Sequence, residues 1–396
     1  MMAATVPERH AVYYPRIHFR NMEWLKGTLL AFGRVYRIVP TDHPLEDDPP
    51  ELRGFSQRHL AMTQDKRKPL VFEIDPEWSA IEFAQERLYH ELRLVDPAEL
   101  TRRFGATATA AREAATGRYE IHRSKVHDGL FEQLLMPRGL AWPSPSRRQT
   151  GPWLRVHPDL GDAIMSVSTV ASARETGSDV VTDAPTLHTA VAALDEGAIL
   201  REFLRPGSHP DEEVPAERAG AQLAHVVMVT HFSTAALSFD DVAGLLQDGV
   251  SFRAFRNHMA SVAQRIPPEI DQRTRERRLQ ELADEMVDEW NRLERSLPKR
   301  LLAGIGAGAA KGAEDVAKDA ARTLATGGLA AGLAALSAKV AFVAAAPVAV
   351  PIALALVTTT LAWRRSRKDG PLAYLTHVKK AGGVQLAVPC SYRPEP

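Results

Sequence analysis

Six ionisable side chains stand at the ends of runs that read as β-strands: His18, Asp75, His122, Lys125, Asp183 and His231. Imidazoles, carboxylates and an amine are groups that carry protons, hold an anion or assist a metal-dependent step when the chain gathers them. Strand ends are where such gathering is expected, because α/β sheets bind ligands beyond the carboxyl ends of their strands. His122 and Lys125 form the most informative pair, since a cleft around them would depress the lysine pKa. Each residue also has a plain structural role open to it. An aspartate after a strand caps a helix, and a lone histidine is commonly a hydrogen-bonded core residue.

The stronger catalytic signatures do not occur. There is no GxSxG elbow, HExxH, CxxC or GxxxxGK[ST]. Gly304, Gly306 and Gly308 with Ala309 fit a GxGxxA pattern, but they follow a charged amphipathic helix rather than a strand. No acidic residue lies about 20 positions on, as a dinucleotide loop requires. No cofactor or metal is therefore expected. The single Cys390 excludes an internal disulfide and fits a reducing compartment. Lys+Arg and Asp+Glu balance at 49 each, so no global field draws the chain to nucleic acid. The opening MMAATVPERHAV lacks the basic and apolar regions of a secretory signal, which makes the cytoplasm the expected location.

Elements that would position these groups alternate between strand and helix. Strands are expected at 11–17, 34–40, 70–74, 118–124, 153–157, 178–183 and 224–232, with 92–95 as an eighth. The first helix, 22–32, carries Trp24, Leu25, Leu29 and Phe32 on one face and stops at Gly33. Asp96 followed by Pro97 opens another. Such alternation predicts a mainly parallel sheet with helices packed on it. Eight strands would close a barrel and fewer would leave an open sheet; the reading leans to the barrel-like form.

The opening residues YYPRIHFRNMEWLK, followed by RVYRIVP, resemble the start of an uncharacterised bacterial family in which a YYP-x-IHFR segment precedes a Trp-Leu-Lys helix and a second strand ending in Pro. The likeness extends weakly to VVTD (180–183) and GPLAYL (370–375). It implies bacterial origin and shared architecture. The family has no assigned activity, so no functional residue is carried over.

From Ser238 the apolar spacing becomes helical, giving an expected organisation of an α/β domain (1–235), a helical segment (236–300) and a Gly/Ala-rich apolar hairpin with its tail (301–396). The stretch from Glu269 to Ser296 is amphipathic, with Leu279, Leu282, Met286, Trp290, Leu293 and Leu297 on one face, and is a surface on which a protein partner could dock. The run opening at Leu329 bears one charge, Lys339, before Trp363. From Val340 to Trp363 there is none, and RRSRK follows. That length and flank fit a membrane element facing the inner side of the cytoplasmic membrane. Pro347 and Pro351 break it, so a hairpin of two helices is expected, either buried or membrane-capable. The leading functional reading is a ligand-sensing or interaction α/β module coupled to a membrane-capable helical domain. An enzyme with its site at the strand ends and a helical scaffold are the alternatives.

Overall fold

The computed structural model describes residues 10–14, 16–41, 43, 48–144, 152–183, 199, 203, 216–247, 249–267, 272–306 and 372–386. The chain is α/β in its N-terminal half and helical beyond it. β1 (Ala11–Tyr14) leads into α1 (Met22–Phe32) and β2 (Val35–Ile38). The Asn21 side chain caps α1 by accepting the Trp24 N–H. Gly33, at φ 81°, ends it with its N–H on the Leu29 carbonyl. A positive φ there is one that a side chain would resist.

Two short helices, α2 (Pro50–Arg53) and α3 (Gln57–Thr63), precede β3 (Val71–Ile74). Then come α4 (Ser79–Arg93), α5 (Pro97–Phe104) and α6 (Ala106–Thr116). Asp96 caps α5 through the amides of Ala98 and Glu99, as its Asp-Pro sequence requires. β4 (Glu120–His122) runs into a tight 3-10 turn, Arg123–Lys125, and the short α7 (Asp128–Leu130). β5 (Ala141–Pro143), β6 (Trp153–Val156), α8 (Pro158–Glu175) and β7 (Asp179–Thr182) complete this half.

β1, β2, β3 and β7 form one parallel sheet in the order β3-β2-β1-β7. Both faces are covered, as parallel strands require. Tyr13 turns towards Phe19 and Trp24, whose rings lie 4.5 and 5.7 Å from its own, and so towards α1. Tyr14, one residue on and therefore on the opposite face, donates to the Asp162 carbonyl of α8 at 3.1 Å. The chain winds from β1 outward to β3 and then returns to the other side of β1. This reversal marks the place where open α/β sheets leave a crevice.

The sheet is open among the described residues, which corrects the barrel-like expectation. Two physical facts account for the difference. The strands expected at 118–124 and 153–157 exist, but they pair antiparallel with each other and with β5 in a separate sheet, β4-β6-β5. The run expected as a strand at 224–232 lies almost wholly in α9 (Ala216–His231). Ala219, Ala221, Leu223, Ala224, Val227 and Met228 of α9 are all buried, so it is apolar on several faces and its helical period is masked. The stretch 92–95 is the end of α4 and its cap.

α9 packs on α1, where the Thr28 hydroxyl meets His225 Nε2 at 3.0 Å. At Gly220 a Cβ would stand 2.4 Å from Ala260 Cα, so only glycine permits that crossing. β8 (Phe232–Ser233) pairs antiparallel with β9 (Val384–Gln385). α10 (Phe239–Gln247), α11 (Gly249–Ala263), α12 (Gln272–Gly306) and α13 (Ala373–Ala381) supply the helical half. Ser238 and Asp241 cap α10 reciprocally, Asp241 taking the Ser238 N–H and Ser238 taking the Asp241 N–H. Leu279, Leu282, Met286 and Trp290 of α12 are buried along one stripe.

The chain divides into two compact units, one of Met1–Gly249, Arg256–Ala283 and Val378–Pro396, the other of Val250–Phe255 and Asp284–His377. In the second, Tyr374 packs on Phe252 and Phe255 with ring centroids 5.4 and 5.3 Å away. Trp290 donates there to the Thr376 hydroxyl at 3.2 Å. No helix among the described residues is long and apolar enough to cross a membrane. The expected hairpin, Leu329 to Trp363 with its turn at Pro347 and Pro351, lies outside them.

One buried acid makes stability depend on pH. Asp162 of α8 lies among Tyr14, Tyr119 and Ser166, and Gly161 beside it leaves room for the Tyr119 ring. Burial pushes its carboxyl up to about 6, and hydrogen bonds from Tyr119 and Tyr14 offset this only in part. The folded state therefore holds this proton more tightly than the unfolded chain. Stability from this group is highest below pH 3.8 and falls as pH rises to about 6, by on the order of 3 kcal/mol. Urea unfolding of Asp162→Asn at pH 4.5 and 7.5 checks this: the variant should show a smaller difference between the two than the parent. Equal differences would refute it.

Candidate functional site

The carboxyl ends of β1 and β2 carry a dense polar cluster. Arg37, the third residue of β2, is fully buried, and its register partners are Tyr13 on β1 and Glu73 on β3. A cation on an inner strand needs counter-charges. Arg37 finds them in Asp48, through two hydrogen bonds of 2.9 and 2.5 Å, and in Glu73 at 3.1 Å. Its guanidinium also lies 5.3 Å from the Phe19 ring centroid. Glu73 is held in turn by the Ser56 hydroxyl and the Arg58 amide. Burial alone would raise the Asp48 carboxyl, but hydrogen bonds and charge from His18 and Arg37 overcome it and hold it at about 2.

Asp48 also organises two imidazoles. His18 Nδ1 donates to Asp48 Oδ1 at 3.0 Å, and His18 Nε2 lies 3.1 Å from His43 Nε2. An ionised Asp48 can only accept, so the His18 proton sits on Nδ1. In the neutral state His18 Nε2 then accepts and His43 Nε2 donates. The His18 side chain is 34% exposed while Asp48 is sealed, so this pair reaches from solvent into the protein.

The small antiparallel sheet brings the third imidazole. β4–β6 register sets His122 opposite Trp153, with ring centroids 5.3 Å apart at 87°. His43 packs edge-on against both, 6.1 Å from each. Trp153 in turn rests on Ile17 and Val39, the residues that follow β1 and β2. This apolar wedge fixes the small sheet against the end of the large one.

Lys125 ends the turn that follows β4. Only 4% of it is exposed, and among the described residues its ammonium has no hydrogen bond or ion pair. Burial first, and then the Arg37 charge, lower its pKa to about 7. Its backbone is clamped from beneath. Gln85 of α4 donates to the Lys125 carbonyl at 2.7 Å and to the Ser168 hydroxyl at 2.8 Å, and accepts the His127 N–H at 2.7 Å.

Of the six strand-end residues, His18 and His122 meet through His43, and Lys125 stands close enough to Arg37 to feel its charge. Asp75 bonds the Thr41 hydroxyl and the Glu77 amide, the local turn of a helix start. Asp183 accepts the Tyr13 hydroxyl at 2.9 Å and the Arg20 amide at 3.2 Å, tying β7 to the loop after β1. His231 follows no parallel strand; it ends α9 and lies 3.4 Å from Gln280. Sequence reasoning missed Arg37, His43 and Asp48, all belonging to β2 or the segment after it. The signal was a charge inside RVYRIVP, a run read as a strand of the sheet.

Among the described residues no group of three or more His, Cys, Asp or Glu is arranged to hold a metal ion. Both Asp48 oxygens are already engaged by Arg37. A separate cleft of about 390 Å³ opens at Lys26, Phe55, Arg67 and Phe239. Its two cations already lie over rings, Lys26 on Phe239 and Arg67 on Phe55. Lys125, the buried amine without an ion pair among the described residues, does not line this cleft.

The fold and cluster define an open, parallel α/β unit with polar groups gathered at its strand ends. No protein family, curated protein or solved structure matches the chain.

Proposed function

We propose that the α/β unit is a ligand-binding module whose site is the carboxyl end of β1 and β2, lined by His18, His43, His122 and Lys125, and that its ligand is a small anion. The buried Lys125 ammonium, which has no counter-charge among the described residues, is the observation that carries this reading. Keeping an amine there is unfavourable unless something uses it. A bound anion supplies the missing counter-charge and restores the lysine proton, and the half-exposed His18 marks the side from which it enters.

Calorimetric titration with oxalate at pH 8, in two buffers of unlike ionisation enthalpy, tests this. Lys125 is then mostly neutral and becomes charged on binding, so uptake approaching one proton per oxalate is expected. Lys125→Met should abolish both binding and uptake. Binding that survives that change, or that takes up no proton, would refute the assignment.

A further inference from the structure

We propose that Lys125 is the nucleophile of an imine-forming site, and that the ligand is a small oxo acid whose carbonyl carbon its Nζ attacks. The inference rests on the anion-site reading and adds the chemistry. A lysine becomes a nucleophile when it is desolvated or set beside another cation, because both favour the free amine. Lys125 has both conditions: it is sealed on the turn after β4, and it feels the charge of Arg37, which Asp48 and Glu73 hold in place. Among the described residues it also has no carboxylate partner, which would keep it protonated. The Gln85 clamp on its backbone fixes where the amine stands.

The step balances without a redox partner. The Nζ lone pair adds to the carbonyl carbon, a C–N bond forms, and the carbonyl π pair moves to oxygen, which takes a proton. Nitrogen then loses a proton, the hydroxyl takes a second proton and leaves as water, and the nitrogen lone pair closes a protonated C=N bond. Three proton transfers are needed, and imidazoles are the side chains suited to them near neutral pH. His122 lies on the strand that leads into the Lys125 turn. His43 links it to His18, whose side chain is partly exposed to solvent. The carboxylate of an oxo acid meets the positive side of the cluster, so one ligand uses both features.

Glyoxylate with cyanoborohydride, which reduces an imine to a stable amine, tests the proposal on the intact protein at pH 7. Peptide mass analysis compares Lys125 with the exposed Lys66 and Lys68 of the same chain. Lys125 should be modified faster by on the order of tenfold or more, because a far larger fraction of it is neutral at that pH. Oxalate, which has the charge but no aldehyde, should protect it. Modification of Lys125 no faster than Lys66 and Lys68 overturns the imine. If oxalate still binds through Lys125 in that case, the anion site stands and only the covalent step is lost. Absence of both overturns the two together. Lys125→Arg, which keeps the charge and cannot condense, should bind oxalate and leave glyoxylate untrapped; trapping elsewhere in that variant at an undiminished rate would also refute the assignment.

Discussion

Arg37→Met is expected to lower stability by about 3–5 kcal/mol, the range for breaking a buried ion pair by removing one partner. Among the described residues Arg37 is the cation that bridges Asp48 and Glu73, and all three side chains are sealed. Methionine fills much of the volume but removes the guanidinium that both carboxylates share, leaving Asp48 to His18 and Glu73 to the Ser56 hydroxyl and the Arg58 amide. Both would then favour their protonated forms, so the loss should be largest at neutral pH and shrink as pH falls into the carboxylate range. In the parent the slope runs the other way. Asp48, held at about 2 against 3.8 when unfolded, stabilises the fold above pH 3.8 and loses that contribution as pH drops towards 2. Urea unfolding of both proteins between pH 3 and 7 measures the difference. A loss below about 1 kcal/mol at pH 7, the scale of an exposed pair, would show that the network is not closed. Combining Arg37→Met with Asp48→Leu and Glu73→Leu should recover much of the loss, because a well-packed apolar replacement of a buried ionic group is often close to neutral.

Lys125→Met is expected to do the opposite and stabilise the protein. Lys125 binds its proton less tightly when folded, at about 7, than when unfolded, at 10.5. Below pH 7 folding must bury the charge, and between 7 and 10.5 it must release a proton that the unfolded chain keeps. Stability from this group therefore rises with pH across that window, and it is lowest at pH 7 and below. The handicap at pH 7 is on the order of 3–5 kcal/mol, and methionine, with a similar aliphatic stem, removes it. The variant should also lose the stability gain that the parent shows between pH 7 and 10. Thermal and urea unfolding at pH 7 and 9.5 give both quantities. A destabilised variant with an unchanged pH slope would mean that Lys125 has a hidden structural partner. A residue that weakens the fold while standing in the proposed ligand site is the pattern expected where function opposes stability.

The large sheet was legible where local and global signals agree. Gly33 and the stripe of Trp24, Leu25, Leu29 and Phe32 mark α1, and β1, β2, β3 and β7 fall within the runs read as strands. Pairing was not legible. RYEIHRS and WLRVH alternate like any strand, and nothing local says that Ile121 pairs antiparallel with Leu154 instead of joining β1. α9 was misread because a helix buried on several sides has no polar face to reveal its period.

The site was half legible. His18, His122 and Lys125 were found because a strand end is a positional rule. Arg37, His43 and Asp48 escaped it. Arg37 sits inside its strand, where alternation makes a charge look solvent-facing, and Asp48 lies in a polar connection that resembles an ordinary loop. Their meeting depends on His43 and Asp48 both reaching the strand end, a tertiary event that spacing does not encode.

Gln85 holds the Lys125 carbonyl, the His127 amide and the Ser168 hydroxyl with one side chain, and Ser168 in turn bonds the Ile164 carbonyl one turn back in α8. The amine is therefore mechanically geared to the two helices packed beneath the sheet. A displacement of the lysine backbone strains the Gln85 amide and is handed to α4 and α8, while a shift between those helices moves the lysine. The unit behaves less like a cup with a residue at its bottom than like a lever pivoted on a single glutamine.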